Sequence, residues 1–236
     1  MAFYISDKLR HYFKGFCSSP EIIMLFVYMK CRFSLSYRDL EEMGIIRGIR
    51  LDHATIARWI LRFVPLVEIK VRKNKKPVGS SWRMDETYIK VSGSWVYLYR
   101  AVDFVGNTID FLLRKHRDTV AAKAFFRKAF KNNGMPGKVT IDKSGSNIAA
   151  LEALNKDLSE NMRMIIRTIK YLNNIVEQDH RFIKKRTKPM LGFKSFNSAK
   201  ITIAGIENIR MIQKGQIIGS NDNLSTFENF AALMAS

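Results

Sequence analysis

The chain has 236 residues, 40 of them Lys or Arg and 21 Asp or Glu, for a formal net charge of +19 and a sequence pI near 10.1. Its 47% hydrophobic content excludes a disordered chain, and its length exceeds one small core without room for two large domains. So large a positive excess opposes compaction by self-repulsion and favours polyanionic partners, nucleic acid first and an anionic membrane surface second.

Cys17 and Cys31 match no zinc-ligand spacing and make no disulfide framework, which fits a reducing, cytoplasmic compartment. The opening MAFYISDKLRHYFKGF lacks the long apolar core of a signal peptide. The apolar run IIMLFVYM stops at Lys30, far short of the roughly 20 residues that cross a bilayer, so it reads as a buried helix. No membrane partner is expected, because the basic residues do not sit on one amphipathic helix.

In chain order, Pro20 followed by Glu21 starts a helix that runs to about Arg32. In SYRDLEEMGIIRGIRLDHATIARWILRFVP, Ser36 caps a short helix with Asp39 as the partner acid of a capping box. Gly44 and Gly48 mark a turn, and Asp52 caps a second helix that Pro65 ends. On that helix Ile56, Ile60 and Phe63 or Val64 form the apolar stripe, while Thr55, Arg58 and Arg62 fall away from it. The pair reads as a helix-turn-helix or as an ordinary helical hairpin, and the charge of the chain favours DNA binding, with Arg58 and His53 leading the groove-facing side chains.

KVRKNKKPVGSS has no apolar period and reads as a basic connector able to track phosphates, or simply as a solvated one. From Trp82 the pattern changes to three β-rich runs, WRMDETYIKV, SWVYLYRAVD and NTIDFLLRKH, joined by Ser92-Gly93 and Gly106-Asn107 turns. A helix over Thr119 to Asn132, the strand KVTID, the helix NIAALEALNKDL, the strand RMIIRTI and the helix in NNIVEQDHRFIKKR follow. The expected order is an antiparallel three-strand meander that passes into βαβ territory. A helix from Ser198 to about Gly215 closes the domain, and the remaining tail reads as frayed.

In so basic a chain, three acids stand out by joint placement: Asp85 in the first strand, Asp142 at the end of the fourth and Glu177 on the helix after the fifth. Carboxyl ends of strands line the functional crevice of an α/β sheet. Carboxylates converging there tolerate their repulsion if divalent cations join them, and hard oxygen ligands suit Mg²⁺ or Mn²⁺. Two ions about 4 Å apart would serve phosphodiester displacement. Residue type alone selects nothing, since Glu86, Asp103, Asp110, Asp118 and Asp179 are also acidic, and Glu177 has a plain alternative in a helical pair with Arg181.

These blocks resemble the DDE transposases of the IS-six insertion-sequence family: WRMDETYIKVSGSWVYLYRAVD the first-Asp block, TIDKSGSN the second, NNIVEQDHRFIKKR with LGFKSFNSAKITIAGIE the Glu block. The 34 residues between Asp142 and Glu177 match that family's spacing, and the resemblance runs from about residue 20 to 215. It implies an α/β, RNase H-like (integrase-type) catalytic core behind an N-terminal all-α helix-turn-helix domain. The expected boundaries are 1–68 for the helical domain, 69–81 for a basic linker, 82–216 for the catalytic domain and 217–236 for the tail. It implies that Asp85, Asp142 and Glu177 bind two Mg²⁺ or Mn²⁺ ions and that Lys184, seven residues after Glu177, holds a phosphate beside them. Lys185 and Arg186 would grip the same DNA, and His53, Thr55, Arg58 and Arg62 the element ends. The residues after the second Asp vary in the family, so Ser144 to Asn147 carry little weight. His180 lies near the same helix face and reads as packing. The implied partners are DNA, as terminal inverted repeats and target, and a second copy in at least a homodimer; the implied location is the bacterial cytoplasm, at the nucleoid. A regulatory or inactive DNA binder, or a nuclease that stops at hydrolysis, would share much of this pattern.

Overall fold

The computed structural model describes residues 3–169, 174–190 and 192–236, except for the side chains of Asn174, Ile175 and Glu177. Along the chain, helices α1 (Asp7–Arg10), α2 (Pro20–Arg32), α3 (Tyr37–Ile46) and α4 (His53–Lys73) precede strands β1 (Ser81–Val91), β2 (Ser94–Asp103) and β3 (Thr108–Arg114). Then come α5 (Thr119–Asn133), β4 (Lys138–Ile141), α6 (Gly145–Lys156), β5 (Ile165–Thr168), α7 (Asn174–Thr187), α8 (Phe196–Gln213) and α9 (Thr226–Ala235). Two compact units result, Met1–Lys76 with Lys185–Ser236, and Pro77–Lys184. Among the described residues no helix is long and apolar enough to cross a membrane.

The second unit is built on a five-stranded sheet of order β3-β2-β1-β4-β5. β1 pairs antiparallel with β2 and β2 with β3, whereas β4 runs parallel to both β1 and β5. This is the RNase H-like arrangement: a meander followed by parallel strands that need helical crossovers. The β1–β2 turn places Ser92 at φ 49° and Gly93 at φ 81°, the paired positive values that a tight hairpin with the right twist demands. At the next turn the Asp103 carboxylate accepts hydrogen bonds from the backbone N–H of Val105 (3.0 Å) and Asn107 (2.8 Å), satisfying donors the ladder leaves free. One sheet face buries Trp82, Met84, Tyr99 and Ala101 against Phe125, Phe126 and Ala129 of α5 and Ala150 and Leu151 of α6.

The first unit is helical. Ser19 caps α2, with Pro20 in its first turn, and Ser36 and Asp39 form the expected capping box on α3. The α4 stripe is as expected, with Ile56, Ile60, Phe63 and Val64 buried, and Trp59 joins it. Four expectations change here. Gly44 is not a turn residue: it lies inside α3, where an added Cβ would come within 2.8 Å of the Ile49 carbonyl and 3.3 Å of the Phe26 ring. Gly48, at φ 71°, ends the helix, with Gly48 N–H donating to the Ile45 carbonyl and Ile49 N–H to that of Gly44.

Pro65 does not stop α4, which continues to Lys73. Proline inside a helix costs about 3 kcal/mol. The extra turns bury Leu66, Val67 and Val71, each worth about 1.5–3 kcal/mol, and the carbonyl that Pro65 cannot bond belongs to Leu61, a residue 39% exposed. The 69–81 linker is therefore helical at its start, and Asn74 to Lys76 are pinned as well: Lys76 N–H donates to the Gln216 carbonyl (2.8 Å) and Ile218 N–H to that of Asn74 (2.7 Å). The tail is not frayed. Ser225 and Glu228 form a second capping box, and α9 buries Phe230, Leu233 and Met234. Its apolar run is too short to register without that cap.

Candidate active site

The β1–β4 ladder ends at Arg83 opposite Thr140. Two residues further on each strand lie Asp85 and Asp142, so parallel register alone brings the first two predicted acids side by side. Beyond Ile141 the chain leaves β4, and the β1–β4 pairing ends. Carboxylate oxygens of Asp85, Glu86 and Asp142 lie within 4.8 Å of one another. Asp142 is shaped by its own loop: its Oδ1 accepts from Ser144 N–H at 3.1 Å, an Asx-type turn that delivers the chain into α6.

Glu86 belongs to this group although the sequence pattern does not select it. Its Oε1 accepts from Asn147 Nδ2 (3.0 Å) and Arg117 Nε (3.3 Å). Arg117 Nη2 also reaches Asp142 Oδ2 at 3.4 Å, and Asn147 Nδ2 reaches Asp142 Oδ1 at 3.5 Å. Ser144 to Asn147 therefore carry more weight in this chain than family variation implies: the first turn of α6 folds back onto the acid five residues before Asn147. Burial raises the Glu86 carboxyl above its usual range despite Arg117 and Asn147. Asp85 is pushed up to about 6, by burial first, against the N–H of Glu86, with the Glu86 and Asp142 charges adding to the rise.

On the other side of Asp85 stands α7. Val176, Asp179, His180 and Ile183 of that helix are buried at helical spacing. Arg100, opposite Asp85 across the β1–β2 ladder, pairs with Asp179 at 3.3 Å with its own side chain fully buried. His180 packs as expected but also touches the site, its Nδ1 3.6 Å from Asp85 Oδ2. That distance is too long for a hydrogen bond, and it is not an ion pair either: burial, with Arg100 and Lys184, pushes His180 down to about 3, so the ring is neutral. Lys184, one turn on, is exposed. Glu177 lies on α7, and its side chain is outside the described residues.

Three carboxylates with one guanidinium leave an excess of two negative charges, and among the described residues Glu86 Oε2 is buried with no hydrogen-bond partner. Hard, acceptor-only oxygens with an unmet charge fit a divalent cation such as Mg²⁺ or Mn²⁺. A second group within reach of a cation, Glu41, Asp52 and His53, has its own structural account. Asp52 caps α4 through Ala54 and Thr55 N–H, and His53 Nδ1 meets Glu41 Oε2 at 3.0 Å.

The remaining basic candidates lie in the helical unit. Arg58 is exposed and donates to Thr55 Oγ1 at 2.8 Å, and Arg62 is exposed one turn on. His53 is partly taken up by Glu41. Lys185 is exposed, with its backbone carbonyl accepting from Ser34 Oγ, whereas Arg186 is half-buried and bonds the same Ser34 hydroxyl at 3.3 Å. Burial, with Arg32 and Arg210 nearby, holds Arg186 below its usual range.

A family profile described as a DDE domain matches residues 79–216. The transposase for insertion sequence-like element IS431mec of Staphylococcus aureus strain Mu50 is 39% identical over 204 residues, 86% of this chain and 89% of the relative. The transposase for insertion sequence element IS257 in transposon Tn4003, also of Staphylococcus aureus, has the same identity and coverage. Among solved structures, the catalytic core domain of BIV integrase gives a TM-score of 0.44 at 16% identity, over 65% of this chain and 95% of that one.

Proposed function

This chain belongs to the DDE transposases of the IS-six insertion-sequence family, and we propose that one carboxylate-lined site both cuts DNA at the element ends and joins those ends to target DNA. The observation that carries this reading is the meeting of Asp85 and Asp142, with Glu86, where the chain leaves the end of β4 beside the middle of β1. Asp85 and Asp142, with Glu177 supplied by α7, would hold two Mg²⁺ or Mn²⁺ ions. When bound, such ions polarise the attacked phosphodiester and stabilise charge on the attacking and leaving oxygens.

The protein's own groups position and screen. Asp85 and Asp142 are about one-quarter and one-third exposed, so both are open to substrate. Neutral His180, buried against Asp85, adds no competing cation there. Lys184 presents an exposed ammonium to a DNA phosphate, and catalysis rests on placement and charge neutralisation. Water attacks the phosphodiester at the element end and leaves a 3′-OH. That 3′-OH then attacks a target phosphodiester at the same site, with no covalent protein–DNA intermediate. His53, Thr55, Arg58 and Arg62 on α4 would read the terminal inverted repeats, with Lys185 and Arg186 gripping backbone, and two copies would pair two ends.

Purified protein incubated with linear DNA carrying the element ends and Mg²⁺ tests the reading. Asp85→Asn, Asp142→Asn and Glu177→Gln should each lower cleavage by roughly 100-fold or more, while end binding in a gel-shift assay persists. Near-normal cleavage by any of them would remove that residue from the site. Joining of a pre-cut end to target DNA distinguishes a transposase from a nuclease that stops at hydrolysis.

A further inference from the structure

Glu86 is the member of the carboxylate group that the reading above leaves without a task. Its side chain is 3% exposed, against 26% for Asp85 and 35% for Asp142, so it sits behind the two carboxylates that face solvent. Among the described residues only one of its oxygens has hydrogen-bond partners. Oε1 takes Asn147 Nδ2 and Arg117 Nε, and both of those side chains also reach Asp142. Two donors shared between the same two carboxylates fix the distance from Glu86 to Asp142. Among the described residues Oε2 is buried with nothing to accept from, and so is Asn147 Oδ1. Buried polar oxygens are rarely left this way unless a partner such as an ion completes the site.

We propose that Glu86 is a positioning residue of the metal site: through Arg117 and Asn147 it sets the placement of Asp142, and its charge draws a divalent cation to Asp85 and Asp142. The inference rests on the metal-dependent reading above. A strut that merely pairs with Arg117 explains Oε1 and not Oε2. Nor does it explain why a carboxylate is buried beside two others when a neutral side chain of the same shape would accept the same two donors.

The test titrates Mn²⁺ into the full chain by calorimetry and measures Tm in chelator and in Mn²⁺, for wild type, Glu86→Gln and Asp142→Asn. In Glu86→Gln the amide carbonyl can keep both donors while the buried charge is gone. That variant should therefore show a higher Tm in chelator, an Mn²⁺ affinity weakened by about tenfold to a hundredfold, and a smaller Tm gain from Mn²⁺. Wild-type affinity in Glu86→Gln, with binding lost in Asp142→Asn, overturns the role of Glu86 alone. Wild-type affinity in Asp142→Asn as well overturns the metal-site reading itself. Should Glu86→Gln fail to fold, Asn147→Ala removes the bridge without touching a carboxylate, and unchanged Mn²⁺ affinity there overturns the positioning role.

Discussion

At the scale of single residues, Asp85 and His180 place opposite signs on the pH dependence of the metal-free protein. The Asp85 carboxyl is raised from 3.8 to about 6, chiefly by burial. Between those values the folded state holds a proton that the unfolded chain has released, so this group makes stability fall as pH rises, with no further change above about 6. His180 is lowered from 6.5 to about 3, again chiefly by burial. Over that window the unfolded chain binds the proton and the folded one does not, so this group makes stability rise with pH. The two oppose each other from 3.8 to about 6. Asp85→Asn removes only the first contribution. In chelator, the Tm of Asp85→Asn minus that of wild type should therefore climb across that interval and level off above it. A difference that stays flat from about pH 4 to about pH 7 would show that Asp85 is not raised.

At the scale of elements, α8 meets α2 and α4 at Gly205. A Cβ there would fall against the Cys31 sulfur and 3.1 Å from a Val64 methyl. Elsewhere in a helix Gly→Ala gains about 0.4–1 kcal/mol; here overpacking should turn that into a loss of about 1–3 kcal/mol, read from urea unfolding. Pairing it with Cys31→Ala should restore part of the loss, because the nearest clashing atom is removed, and no restoration would place the clash elsewhere. What the sequence discloses about elements follows from how local each signal is. The capping box on α3, the Ser92-Gly93 hairpin and the Asp52 cap of α4 lie within a few residues and read directly. The passage of α4 through Pro65 is decided by burial of side chains one and two turns later, which no local rule sees. Asp142 is legible because the carboxyl end of a strand lines a crevice, and Asp85 only jointly with it, since it lies in the middle of β1. The place of Glu86, Arg117 and Asn147 is not, because it depends on the β1–β4 register and on a loop after β3 that carries no spacing signal.

At the scale of the whole molecule, the net charge of +19 predicts how DNA binding responds to salt. Each neutralised phosphate contributes a slope of about −0.9 in log K against log salt, so about six contacts would lower affinity by roughly 10³ between 50 and 200 mM. Two exposed side chains should separate positioning from reading. Lys185 is exposed, and the contact found at it involves its backbone carbonyl. Lys185→Ala should weaken binding to element ends and to random DNA alike, and make the salt slope shallower by about one. Arg58 is held by Thr55 on the exposed face of α4, which orients its guanidinium before any base is met. Arg58→Ala should cost about 1–3 kcal/mol on the specific end and much less on random DNA. Equal losses on both DNAs would make Arg58 a phosphate contact, and sequence reading by α4 would then have to come from Thr55 or Arg62.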